Sequence, residues 1–140
     1  SRLSGDIHQK VTSTYNNREK STLDALHNLR STADEIKNAL MSGRLSNFGQ
    51  LLSQNWESQK ALHPSVTNDQ IEGIFNVAIQ NGAIGGKACG AGGGGCILFY
   101  CTPNQDHLVR KALEGNGVTI IDFNFDFSGL KTWRVNEDGE

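Results

Sequence analysis

Residues 82–101 read Gly-Ala-Ile-Gly-Gly-Lys-Ala-Cys-Gly-Ala-Gly-Gly-Gly-Gly-Cys-Ile-Leu-Phe-Tyr-Cys, a glycine run set directly against an apolar, β-prone run. Glycine has no Cβ, so such a segment reaches positive φ and can turn its amides toward a ligand. The consecutive glycines 92–95 also make ordering costly in backbone entropy. Keeping them beside a strand implies that the backbone itself approaches something closely. The bland alternative is a tight strand connection with no ligand. A pair of glycines would serve it; six between Gly86 and Gly95, next to Lys87, are in excess.

Two phosphate-binding patterns can be tried on this stretch. Gly90, Gly92 and Gly95 fit G-x-G-x-x-G. That fingerprint demands a helix immediately afterwards to receive the pyrophosphate, and here Cys-Ile-Leu-Phe-Tyr follows instead. A P-loop needs a glycine five residues before Gly-Lys-Ser/Thr. Gly86-Lys87 has Asn81 there and Ala88 behind. What survives is a glycine-rich turn between two strands, able to line an anion site with its own N–H groups.

Composition bounds the alternatives. A chain of 140 residues fits one domain with a real core. A net charge of −2 and scattered Lys and Arg exclude a general nucleic-acid binder, which shows a basic patch. The longest apolar stretch, 96–101, is far too short to span a bilayer, and no signal-peptide pattern opens the chain. Cys89, Cys96 and Cys101 are an odd number in C-x6-C-x4-C spacing. They read as reduced thiols of a cytoplasmic protein, buried as small apolar residues beside the loop, with no metal site.

The first 82 residues read as helical. A weak helical pattern covers about 5–15, broken at Asn16-Asn17. A stronger helix starts near Ser21 or Thr22 and lines up Leu23, Leu26, Leu29, Ala33, Ile36 and Leu40 before Ser42-Gly43 ends it. A third runs over 45–62 with Leu45, Phe48, Leu52, Trp56 and Gln59 on one side, ending before Pro64. Thr67 or Asn68 caps a fourth, with Asp69 and Glu72 in its first turns and Ile71, Ile74, Phe75 and Ala78 on its apolar face.

Residues 83–135 read as strand-strand-helix-strand. Strands are expected at 83–89 and 97–101, and an amphipathic helix around Leu108, Val109, Ala112 and Leu113. Residues 118–127 alternate Phe123, Phe125 and Phe127 with Asn124 and Asp126, the period-two mark of a half-buried strand with its phenylalanines in the core. Residues 132–135 add a last short strand, and 136–140 fray. Helices followed by strands predict an α+β fold with the helices on one face of a small, mostly antiparallel sheet, ferredoxin-like in outline.

Residues 85–96, Gly-Gly-Lys-Ala-Cys-Gly-Ala-Gly-Gly-Gly-Gly-Cys, resemble the third motif of the GHMP kinase superfamily. Ser1-Arg2 with Ser4, Trp56 and Lys60, Gly82-Ala83, and Phe-Asp-Phe-Ser-Gly-Leu-Lys-Thr-Trp at 125–133 extend the resemblance over nearly the whole chain, to the C-terminal half of bacterial D-glycero-D-manno-heptose 7-phosphate kinases. The resemblance implies transfer of the γ-phosphoryl group of ATP, with Mg²⁺, to a hydroxyl of a sugar or sugar phosphate. It also implies a partner, the N-terminal kinase domain of the same protein, which carries the ATP-phosphate loop and the catalytic residues. No Pro-x-x-x-Gly-Leu-Gly-Ser-Ser-like segment occurs in these residues. The expectation is a single C-terminal domain, 1–140, cut just after the strand that precedes Ser1, holding no nucleotide by itself and inactive alone.

By resemblance, Gly90, Ala91, Gly92, Gly93, Gly94 and Gly95 close against the missing ATP loop at the phosphoryl-transfer cleft. Lys87 stands beside them as a point charge for a substrate phosphate. Arg2 and Lys60 are further cationic candidates, each with a solvated surface role as the simpler reading, and Trp56 is either core or a sugar-stacking platform. His63 reads as a helix-end residue, and no Ser-His-Asp or Cys-His pair can be assembled. The competing reading is a non-catalytic ferredoxin-like module that binds a small ligand or forms a homodimer through its sheet edge.

Overall fold

A computed structural model describes residues 2–134, with side chains from Ser4 onward. Helix α1 spans Arg2–Asn16, α2 Lys20–Met41 and α3 Leu45–Lys60. A single 3-10 turn, Pro64–Val66, leads into α4, Asp69–Gln80. Strands β1, Ala83–Ala88, and β2, Ile97–Cys101, precede α5, Asp106–Gly115. Asn68 caps α4 as its sequence predicts, its Oδ1 accepting from the Ile71 N–H at 3.0 Å. Gly43 closes α2 at a φ of +67°.

The two strands pair antiparallel, with Ala88 opposite Ile97, Gly86 opposite Phe99 and a register irregularity between Ala83 and Gly85. Helix α3 crosses β1 closely. A Cβ at Gly49 would press on Tyr100 and Ile84, and one at Gly85 would strike the Gly49 carbonyl and the Ser53 hydroxyl. The observed fold is therefore α+β, helices packed on a small antiparallel sheet.

Two apolar clusters hold these layers. One gathers Ile7, Trp56, Val66, Ile71, Phe75 and Ala88, with the Trp56 and Phe75 rings stacked at 5.4 Å. The other gathers Ala78, Ala83, Val109 and Leu113, with Val118 and Ile120 against them. Burying a tryptophan and a phenylalanine face to face adds about 0.5–1.5 kcal/mol to their area burial.

Three expectations need correction. Helix α2 buries Thr22, Ala25, Thr32 and Ala39, so its inner face is turned about one residue from the predicted leucine stripe, and Leu23 and Leu40 are exposed. Residues 118–134 form no strand, and Phe123, Phe125 and Phe127 stand in solvent, 59 to 94 % exposed. Alternation supplies a strand's two faces but not its hydrogen-bond partner, and no described residue pairs with this segment. Cys89 and Cys96 are exposed rather than buried, because they lie where the ladder opens into the loop. The last residue of the short strand predicted at 132–135, and the predicted frayed tail at 136–140, lie outside the described residues.

Candidate functional site

Residues 90–95 hang between the ends of β1 and β2. The Cys89 N–H donates to the Cys96 carbonyl at 2.8 Å, carrying the ladder one step past Ala88 and Ile97. Within the loop Gly90, Gly92, Gly93 and Gly95 all have φ between +73° and +92°. A side chain is strained in that region, and a Cβ at Gly92 would also run into the Val66 carbonyl. The glycines are required by the path of the chain.

Three tethers fix that path. Gln59 Nε2 donates to the Gly90 carbonyl at 2.8 Å, and Asn68 Nδ2 to the Gly93 carbonyl at 3.2 Å. The Gly93 N–H donates to the Val66 carbonyl at 2.6 Å. Two loop carbonyls are thus engaged by the protein, while among the described residues the amides of Gly90, Ala91, Gly92, Gly94 and Gly95 find no acceptor. Successive unengaged N–H groups of this kind suit the oxygens of an anion.

Lys87 leaves β1 beside the loop. Its Nζ donates to Asn55 Oδ1 at 2.7 Å, and Asn55 Nδ2 reaches the Leu29 carbonyl at 3.5 Å. Among the described residues no carboxylate pairs with Lys87. Asn55 and Gln59, both buried, stand one turn apart on α3, so one helical face holds both the lysine and the loop. A cleft of about 280 Å³ opens alongside, lined by Ile7, His8, Val11, Gln59, Lys87 and Gly90 among others. A broader hollow along α1, from His8 to Asn17, touches none of the loop residues.

The other candidates are placed differently. Lys60 lies 2.8 Å from Glu57 and 3.3 Å from Glu72. Burial works against its charge, yet the two carboxylates outweigh it and hold its pKa above the ordinary lysine value. Trp56 is 1 % exposed and stacked on Phe75, which leaves its ring no open face for a sugar. The side chain of Arg2 lies outside the described residues. His63 accepts at Nδ1 from the Ser65 N–H at 3.0 Å and caps the 3-10 turn. Sequence reasoning did not find Asn55, Gln59, Val66 and Asn68 as loop supports. The available signal was a pair of amide side chains four apart on an otherwise apolar stripe of α3.

The donor set suits phosphate better than metal. Free amides and an uncompensated lysine donate to phosphate oxygens, whereas among the described residues no three His, Cys, Asp or Glu side chains gather to hold an ion. Nor is any described helix long and apolar enough to cross a membrane.

The profile of the family described as GHMP kinases C terminal matches residues 25–119. D-glycero-alpha-D-manno-heptose 7-phosphate kinase of Campylobacter jejuni is 35 % identical over 117 residues, covering 84 % of this chain and 34 % of that enzyme. The galactokinase of Candida albicans is 38 % identical over 72 residues, or 51 % of this chain and 14 % of its own. In three dimensions L. major mevalonate kinase, solved in complex with R-mevalonate, aligns at a TM-score of 0.71 and 21 % identity over 80 % of this chain and 34 % of that one. The chain therefore spans about a third of the heptose 7-phosphate kinase it matches. With the family profile running from the second turn of α2 through α5 and across the glycine loop, this chain belongs to the GHMP kinase C-terminal family.

Proposed function

We propose that the chain is the C-terminal domain of an ATP-dependent kinase acting on a sugar or sugar phosphate, with D-glycero-D-manno-heptose 7-phosphate as the favoured acceptor. The observation that carries this reading is the loop at 90–95, whose carbonyls at Gly90 and Gly93 are tied back while five of its six amides stay unengaged among the described residues. In phosphoryl transfer a protein mainly positions groups and offsets developing charge, and an array of preset N–H donors does that without reorganising. MgATP, when bound, supplies the phosphoryl group. The residues of this chain would contribute one wall of the cleft, and an N-terminal domain of the same polypeptide the other, with the nucleotide loop and the catalytic groups.

Lys87 fits the acceptor's own phosphate. It borders the loop, its one described partner is a neutral amide, and the adjoining cleft is of the size of a small metabolite. Two matched relatives, the heptose 7-phosphate kinase and the fucokinase of Bacteroides fragilis, are named for different sugars, so the acceptor is decided by assay. A polypeptide of the relatives' length carrying this domain is tested with MgATP against galactose, fucose, mevalonate and heptose 7-phosphate, following ADP release. Turnover with heptose 7-phosphate at the highest kcat/KM is the expected result. Preference for an unphosphorylated sugar would remove the role given to Lys87, and no turnover with any acceptor would remove the kinase reading.

A further inference from the structure

Cys89 and Cys96 stand directly opposite each other at the mouth of the glycine loop. The ladder pairs Ala88 with Ile97, and the next pair outward is these two residues, joined by the Cys89 N–H to Cys96 carbonyl bond at 2.8 Å. Both thiols are exposed and free. Opposite residues of an antiparallel pair project from the same face with Cβ atoms about 4.5–5.5 Å apart. One of the two bonds of a hydrogen-bonded pair is present here, and in a full pair of that kind the Cα atoms lie at about 5.5 Å, within the range most often found across a disulfide. A bridge needs the Cβ atoms to close to about 4 Å, and the glycines that follow Cys89 and precede Cys96 let the neck of the loop yield by that much.

Cys101 cannot compete. It faces Ala83 at the far end of β2, and five residues of strand at about 3.3 Å each separate it from Cys96. Its thiol is half-buried, and burial, with Asp106 adding, raises its pKa above the ordinary value, so less thiolate is present to react.

We propose that Cys89 and Cys96 are an oxidative modification site, a dithiol that a hydroperoxide converts into a reversible disulfide across the neck of the loop. One sulfur attacks the peroxide as its thiolate, the O–O bond breaks, and the products are a sulfenic acid and one water. The second thiol then displaces the sulfenic oxygen, which leaves as a second water once protonated. Two thiols and one hydrogen peroxide thus give one disulfide and two waters. The bridge closes residues 90–95 into a covalent ring, so that local opening of the loop past its three tethers is further restricted. The site stands whether or not the phosphotransfer reading is right.

The test is to treat the reduced protein with hydrogen peroxide, alkylate in denaturant and weigh it. The expected product has lost two hydrogens and carries one alkyl group, on Cys101. A thiol or phosphine reductant restores three alkylation sites. Cys101→Ser keeps the bridge, whereas Cys89→Ser and Cys96→Ser each abolish it. In the oxidised protein amide hydrogen exchange of residues 90–96 slows relative to the reduced form. Three alkylated thiols, a bridge to Cys101, a dimer linked through Cys89 or Cys96, a sulfinic acid in place of the bridge, or unchanged loop exchange would each overturn the proposal.

Discussion

Lys87 and Lys60 carry the same charge in opposite settings. Lys60 is held by Glu57 and Glu72, so its charge is already compensated within the fold. Lys87 has the neutral Oδ1 of Asn55 and, among the described residues, no carboxylate. A charged hydrogen bond to a phosphate contributes about 1.5–3 kcal/mol. Lys87→Met in the polypeptide of full kinase length is therefore expected to raise KM for a phosphorylated acceptor about ten- to a hundredfold, with a smaller change in kcat. Lys60→Met should leave that KM near the wild-type value. Steady-state kinetics decides, and equal effects of the two substitutions would show that Lys87 has no special place.

At the scale of elements, the support for the loop comes from α3 and from the entry to α4. Asn68 serves both, capping α4 through Oδ1 and holding Gly93 through Nδ2. Asn68→Ala loses the cap and should destabilise the protein by about 1 kcal/mol. Asn68→Asp keeps an acceptor for Ile71 but has no donor for Gly93, so stability should hold while hydrogen exchange in the loop quickens. Denaturant melts with exchange at 90–95 separate the two effects, and parallel losses would show that the tether has no independent role. Trp56→Ala removes the centre of the larger cluster and is expected to cost about 3–5 kcal/mol. A chemical-denaturation midpoint close to wild type would contradict its placement in the core. The sequence makes the existence of these helices legible because glycines, a proline and a capping asparagine mark their ends. It does not disclose the inner face of α2, where small residues rather than leucines lie inside. Leucine spacing reports a stripe, but close approach of two helices is decided by the residues that leave room.

The whole molecule is unevenly finished. Its core closes at Val118 and Ile120, and beyond them Phe123, Phe125, Phe127, Leu130 and Trp133 stand in solvent. The aromatic alternation there was legible; the missing element is a neighbouring strand, which no local pattern can supply. Limited chymotrypsin digestion of this chain should cut first within 121–134 and leave a fragment of the rest intact, since these residues have exposed backbone and no ladder. Early cutting inside β1 or β2 would contradict the described sheet. The glycine loop was the most legible part of the candidate site, and its supports the least, because buried amides on a helix show their purpose only when the loop is folded back on them. The requirement for a bare loop backbone at the proposed phosphoryl-transfer cleft is strictest at Gly92, where φ is +87° and a Cβ meets the Val66 carbonyl. Its most direct test is kcat/KM with MgATP and heptose 7-phosphate for Gly92→Val against wild type, both in the polypeptide of full kinase length and both checked for folding by circular dichroism. The expected result is a fall of at least about a hundredfold with the fold retained; a folded variant with wild-type kcat/KM would overturn the role given to the loop.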